Sequence, residues 1–179
     1  VLCKASGRSI FESTELSGVT EQSLRLKFEP LFRRLFHFYS RFARGMTLGV
    51  RAVVLDEENR VFLVKHSYVS GWHLPGGGVE TGETFMESLK RELMEEGRIE
   101  LTGEPQLLGL YFNRKISTRD HVAVYVVRDF AHDRLPEPNH EIIACGFFPA
   151  SDLPPETTRG TRLRLAEVLQ NQPRMQDWS

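Results

Sequence analysis

From residue 46 onward the apolar positions fall into short β-rich runs and two helical stretches. Residues 49–56 (GVRAVVLD) and 60–66 (RVFLVKH) are rich in Val, Leu and Phe and are joined by the polar Glu57-Glu58-Asn59, a pattern that predicts a β-hairpin. A loop over 67–78 follows, carrying Trp72, Pro75 and three consecutive glycines. The spacing predicts a helix over 85–96, further strands over 106–112, 121–128 and 141–148, and a last helix over 161–171 followed by a polar tail. The segment 131–140 (AHDRLPEPNH) has two prolines and is read as a loop. Strands mixed with helices over 46–179 predict a single α+β domain.

Residues 1–45 read differently. The first 23 have no sustained periodicity and are rich in Ser, Thr and Gly, so a leader with little fold of its own is expected, and Val1 in place of Met suggests processing or truncation. Between 31 and 44 the apolar residues Leu31, Leu35, Phe38 and Phe42, with Phe32, Phe36 and Tyr39, recur at three and four. That spacing predicts an amphipathic helix, entered after Pro30 and stopped by Gly45, with Arg33, His37, Arg41 and Arg44 on its other side. Its apolar stripe suits packing on the domain or on a second copy in a homodimer. A membrane surface or a polyanion is the less favoured destination.

Composition narrows the class. The chain has 179 residues, 40% hydrophobic and 26% charged, which is ordinary for a globular domain with its own core. Its longest unbroken apolar run is the six residues 122–127, too short for a membrane-spanning helix. Two cysteines are too few for a disulfide framework or a cysteine zinc site, and a reducing cytoplasm is the expected compartment. Charge is uneven: nine Lys/Arg against four Asp/Glu over 1–51 leave +5, whereas fourteen against twenty in the remainder leave −6. A basic front end on an acidic body suggests two different roles.

The chemistry is concentrated between residues 76 and 99. Thr84 followed by Glu87 is a capping-box pair that starts the helix at Phe85. At about 100° per residue, Glu92, Glu95 and Glu96 share one sector roughly 100° wide, overlapping the apolar stripe of Phe85, Leu89 and Leu93. Three crowded anions repel one another unless a cation sits among them. Oxygen-only ligands suit a hard divalent ion such as Mg²⁺ or Mn²⁺, and the glycine run lets a backbone carbonyl approach as a further oxygen. A solvated acidic helix face is the plain alternative.

Laid over 77–99, the residues Gly77, Glu83, Arg91, Glu92, Leu93, Glu95, Glu96 and Ile99 match the pattern G-x5-E-x7-R-E-U-x-E-E-x-G-U, where U is aliphatic. The chain is identified by this pattern as resembling the Nudix hydrolase family. A chance match of six of the seven fixed positions has odds on the order of 10⁻⁴ at ordinary residue frequencies. The lead-in Trp72-His73-Leu74-Pro75-Gly76 and the order of elements over 46–153 fit as well. One position departs: Arg98 stands where the pattern has its last glycine, with Gly97 one residue early. Either Gly97 ends the helix sooner, or Arg98 adopts a left-handed conformation at a cost of roughly 1–2 kcal/mol.

The resemblance implies a Nudix-like α/β/α sandwich with a mixed central sheet, and cleavage of a pyrophosphate bond in a nucleoside diphosphate linked to another group. It implies that Glu92, Glu95, Glu96 and the Gly76 carbonyl hold Mg²⁺ or Mn²⁺, and that Glu83 and Arg91 form an orienting pair. Glu92 is the first choice of general base, with Glu141 at the head of a later strand as the alternative. Cys145 reads as a packed small hydrophobe. For a small-molecule nucleotide substrate, Arg51 and His66 are read as phosphate contacts, and Tyr68, Trp72 and Tyr111 as aromatic platforms. Two other functions remain open: a Nudix-fold regulator that binds a nucleotide without turnover, and an enzyme acting on the 5′ end of RNA. The acidic body ranks RNA below small nucleotides.

Overall fold

The computed structural model describes residues 45–179; the leader, the amphipathic helix and any dimer contact expected of it lie outside them. The strands are β1 (Thr47–Val54), β2 (Arg60–His66), β3 (Ile99–Leu101), β4 (Gln106–Phe112), β5 (Asp120–Val127), β6 (Phe130–His132) and β7 (Ile142–Pro149). Two helices, α1 (Phe85–Gly97) and α2 (Arg159–Leu169), complete the described elements. The central sheet is mixed, in the order β1-β5-β4, with β1 parallel and β4 antiparallel to β5. The pairs β2-β7 and β3-β6 are antiparallel.

Alternation along the strands explains the layers. Val50, Ala52 and Val54 of β1 and Phe62 and Val64 of β2 face one core, which Leu89 and Leu93 of α1 close. Val53 and Leu55, with Val61 and Leu63, face the opposite core, closed by Leu165 of α2. A strand whose successive residues are all buried must be covered on both faces, and the two helices do this. The α/β/α arrangement expected from the resemblance is therefore present.

The hairpin expectation needs correcting. Asp56 to Arg60 form a tight turn, with the Asn59 N–H donating to the Asp56 carbonyl and Asn59 left-handed at φ 56°. The two strands then diverge after the single bridge Leu55–Val61, β1 joining β5 and β2 joining β7. Local sequence encodes the turn, whereas the ladders are chosen by partners 73 to 89 residues away. The strands β3 and β6 were not expected, and β6 occupies the start of the segment read as a loop. Three residues are too few for a periodicity to show. The residues after α2 are not a free polar tail: Phe112 donates to the Gln176 carbonyl and Trp178 to that of Phe112, so 176–178 run beside β4. Among the described residues no helix is long and apolar enough to cross a membrane.

Candidate active site

The site is built where the glycine loop threads between β1 and α1. Val50 donates to the Gly77 carbonyl at 2.9 Å, Ala52 to that of Pro75 at 2.9 Å, and Val79 to that of Leu48 at 2.8 Å, so the loop runs along the edge of β1. Gly76 has φ 132°, and a Cβ there would drive into the backbone of Val50 and Arg51. A Cβ on Gly77 would strike the carboxylate of Glu92. Both positions need glycine because backbone passes against backbone on one side and against a functional side chain on the other.

Helix α1 presents the acids. It begins with the expected capping box: the Glu87 N–H donates to Thr84 Oγ1 at 3.2 Å, and the Thr84 N–H to Glu87 Oε2 at 2.8 Å. It ends at Arg98, left-handed with φ 51° and ψ 37°, whose N–H donates to the Leu93 and Met94 carbonyls. Arg98 therefore takes the strained position. Gly97 is needed for another reason, since a Cβ there would lie 2.8 Å from both Phe62 Cε1 and Ile99 Cδ1.

Arg91 clamps loop to helix. It donates to Glu83 through Nε at 2.9 Å and Nη2 at 3.0 Å, to the Gly78 carbonyl at 3.1 Å, and to Glu92 Oε1 at 2.7 Å. The bidentate bond from Arg91, helped by the Glu80 N–H, holds the Glu83 carboxyl down to about 2. This forked, four-point clamp is far from a plain surface ion pair.

Glu96 is 5% exposed, and its Oε2 accepts from the Gly76 N–H at 2.7 Å. Burial pushes its carboxyl up to about 8, against the pull of Arg51. Burial also raises Glu92, opposed by Arg91. Glu95 stands apart: its side chain is 61% exposed and meets Arg91, four residues earlier, at 3.4 Å. Among the described residues no three His, Cys, Asp or Glu side chains stand close enough together to hold a metal. The helical projection placed Glu95 with the other two, but at the edge of that sector the i,i+4 arginine draws it to the rim.

Glu92, Glu96, Gly76 and Arg51 line one cavity of about 770 Å³. Arg51 reaches the carbonyls of Leu74, at 3.1 Å, and of Gly76. Glu141 and Tyr68 line the same cavity, and the Glu141 carbonyl accepts from the Ser67 N–H. The donor set of two carboxylates and a backbone carbonyl is all oxygen, the chemistry a hard divalent cation takes. A buried carboxyl pushed up to about 8 also fits a place where a cation would restore its charge.

Of three other expected site residues, one lines the cavity and two do not. His66 lines the cavity at 4% exposure, but burial, with Arg51 and His73 nearby, pulls its pKa down to about 4. Its ring lies 3.5 Å from Glu96 Oε1. Trp72 packs edge-on against Phe148 at 4.9 Å in the α2-side core, away from the cavity lining. Tyr111 is 1% exposed and donates to Glu167 Oε2 at 2.7 Å. Both aromatics serve packing, because each lies on the strand or loop face that points to α2. The sequence reading missed Trp178, which lines the cavity from the segment after α2. No periodicity marks it there; only its aromatic character in a polar stretch sets it apart.

Residues 45–169 match the family model described as the NUDIX domain. The chain belongs to the Nudix family. Over 52 residues it is 42% identical to a protein named RNA pyrophosphohydrolase from Francisella tularensis subsp. mediasiatica, a match covering 29% of this Nudix chain and 34% of that protein. The chain spans about a third to a half of the length of the curated relatives it matches. Among solved structures, a MutT Nudix hydrolase from Burkholderia pseudomallei is 29% identical, with a TM-score of 0.59, covering 68% of this chain and 97% of that one. An ADP-ribose pyrophosphatase from Streptococcus suis shares the fold at 23% identity and a TM-score of 0.56, covering 73% and 96%. Nudix hydrolases as a family use divalent metals, which agrees with the oxygen donors gathered here.

Proposed function

We propose that this Nudix chain hydrolyses the pyrophosphate bond of a nucleoside diphosphate linked to another group, with Mg²⁺ or Mn²⁺ as its metal. The observation that carries this reading is the convergence of the Glu92 and Glu96 carboxylates, the Gly76 carbonyl and the Arg51 guanidinium on one cavity. Glu92, Glu96 and Gly76 would hold the cation, with Glu95 beside them at the rim as the further candidate. A divalent ion bound there supplies charge neutralisation for the phosphate oxygens and a more acidic water.

The chain's own groups account for the remaining steps. Arg51 offers a planar cation to non-bridging phosphate oxygens and orients them against the glycine loop. The Arg91 clamp fixes loop and helix together, so that the carboxylates and the Gly76 carbonyl keep their spacing. Glu92 accepts the proton of the attacking water, and Glu141, across the cavity, is the alternative base. One water adds across the phosphoanhydride, and each phosphate leaves with one of its halves.

Arg98 does not speak for a binding protein without turnover. Its left-handed conformation keeps α1 intact through Gly97, so Glu96 still points into the cavity. The name of the Francisella relative favours RNA 5′ ends as the second substrate class to assay.

The test is a panel of nucleotide sugars, ADP-ribose, dinucleotides, nucleoside triphosphates and 5′-triphosphorylated RNA, with Mg²⁺ and with Mn²⁺. Wild type is expected to turn over at least one member. Glu96→Gln is expected to lose 10²- to 10⁴-fold in kcat while melting within a few degrees of wild type. Equal activity in mutant and wild type refutes the site.

A further inference from the structure

Beneath the segment that follows α2 lies an ion pair withdrawn from water. Arg164, fully buried, donates through Nη2 to Glu167 Oε1 at 2.7 Å, and its guanidinium carbon sits 3.7 Å above the ring of Tyr111. The two groups also hold backbone: Arg164 Nη1 donates to the Asp177 carbonyl at 3.4 Å, and the Met175 N–H donates to Glu167 Oε1 at 2.9 Å. A buried ion pair is a poor source of net stability, because desolvation offsets the Coulomb gain. This one instead fixes residues 175–177 in one path, reinforced by the hydrogen bonds of Phe112 to Gln176 and of Trp178 to Phe112.

The side chain delivered by that path is Trp178. Its indole rests on Gly160, where any Cβ would collide with the ring. Tyr111 stands edge-on to it at 6.3 Å. Trp178 lines the same cavity as Glu92 and Glu96 and packs on the α2-side core. Leu48 and Ile116, at 42% and 77% exposure, line it too. The chamber therefore offers carboxylates, a carbonyl and a guanidinium, and also large apolar groups with the aromatic rings of Trp178 and Tyr68. A molecule joining a pyrophosphate to a flat heterocycle matches both.

We propose that Trp178 is a specificity-determining residue that stacks on the base of the nucleotide bound in this cavity. The proposal rests on the nucleotide reading above and deepens it. Stacking of a base on an aromatic side chain corresponds to roughly five- to hundredfold in affinity.

The test uses the full chain with Mg²⁺ and measures binding rather than turnover. The protein has two tryptophans, so Trp72→Phe leaves Trp178 as the sole tryptophan emitter under selective excitation. Titration with ADP, GDP, CDP and UDP is expected to quench that emission saturably for at least one of them, whereas inorganic pyrophosphate leaves it unchanged. By calorimetry, Trp178→Ala is expected to weaken that nucleoside diphosphate at least fivefold and pyrophosphate not at all, with Trp178→Phe restoring most of the loss. Emission unmoved by all four nucleotides, or equal affinity in Trp178→Ala and wild type, overturns the proposal. Quenching in a protein that turns over no substrate would refute the hydrolase reading and leave this one standing. Turnover dependent on Glu96 with no effect at Trp178 would do the reverse.

Discussion

Replacing Arg98 by glycine should stabilise the protein, although it removes a side chain and adds none. Arg98 holds φ 51° and ψ 37° to cap α1, a conformation that costs a residue with a Cβ roughly 1–2 kcal/mol. Glycine relieves that strain but loosens the unfolded chain, which takes back about 0.4–1 kcal/mol. The arginine charge near a helix C-terminus contributes about 0.3 kcal/mol that is also lost. The exposed side chain makes no ion pair among the described residues, so little else changes. The balance is a gain of about 0.5 kcal/mol. At an unfolding entropy of roughly 2 cal/mol/K per residue over the unit Met46–Ser179, that raises Tm by about 2 °C. Scanning calorimetry on Arg98→Gly reads this directly. The neighbour should respond in the opposite sense: Gly97→Ala forces a methyl against Phe62 and Ile99, an overpacking that costs about 1–3 kcal/mol. A fall in Tm for Arg98→Gly, or no loss for Gly97→Ala, would refute this division of labour between the two positions.

Two further outcomes follow from buried and clamped charge. Arg164→Met leaves the Glu167 carboxylate buried without its cation and should cost about 3–5 kcal/mol in urea unfolding. Adding Glu167→Leu to it should recover part of that loss, and a double mutant no better than the single contradicts the pairing. The Glu83 carboxyl is held at about 2, below its ordinary 4.5, so folding gains stability from it above pH 4.5 and loses that gain as pH falls towards 2. Glu83→Gln should therefore be less stable than wild type at pH 6, with the two curves converging as pH falls through that window. Parallel curves over the whole range would show that the clamp is not ionic.

Much of α1 was legible because its signals are local. A capping box three residues apart and an arginine eight residues after Glu83 declare their geometry through the helical repeat alone. The same repeat carries a second signal: Glu95 lies four residues after Arg91, a spacing that suits an ion pair on the helix surface as readily as a ligand for a metal. Projection on a wheel gives direction about the axis, but it does not say which of two partners a side chain meets. The strands show a similar limit. Alternation identified 49–56 and 60–66 as strands, yet the choice of β5 and β7 over each other depends on residues far along the chain.

The aromatic residues were the hardest to sort, for a physical reason. Trp72, Tyr111 and Trp178 are equally able to stack on a base or to fill a core, and only their place relative to the cavity separates the uses. Tyr111 is committed inward by its bond to Glu167, which leaves that carboxylate able to accept from Met175 and pair with Arg164 as well. The residue read as a substrate platform thus supports the buried network that places another aromatic at the cavity. A long-range arrangement of this kind leaves no spacing in the sequence. It joins Tyr111 to Glu167 across 56 positions and passes through backbone atoms that any residue at 175 or 177 would supply.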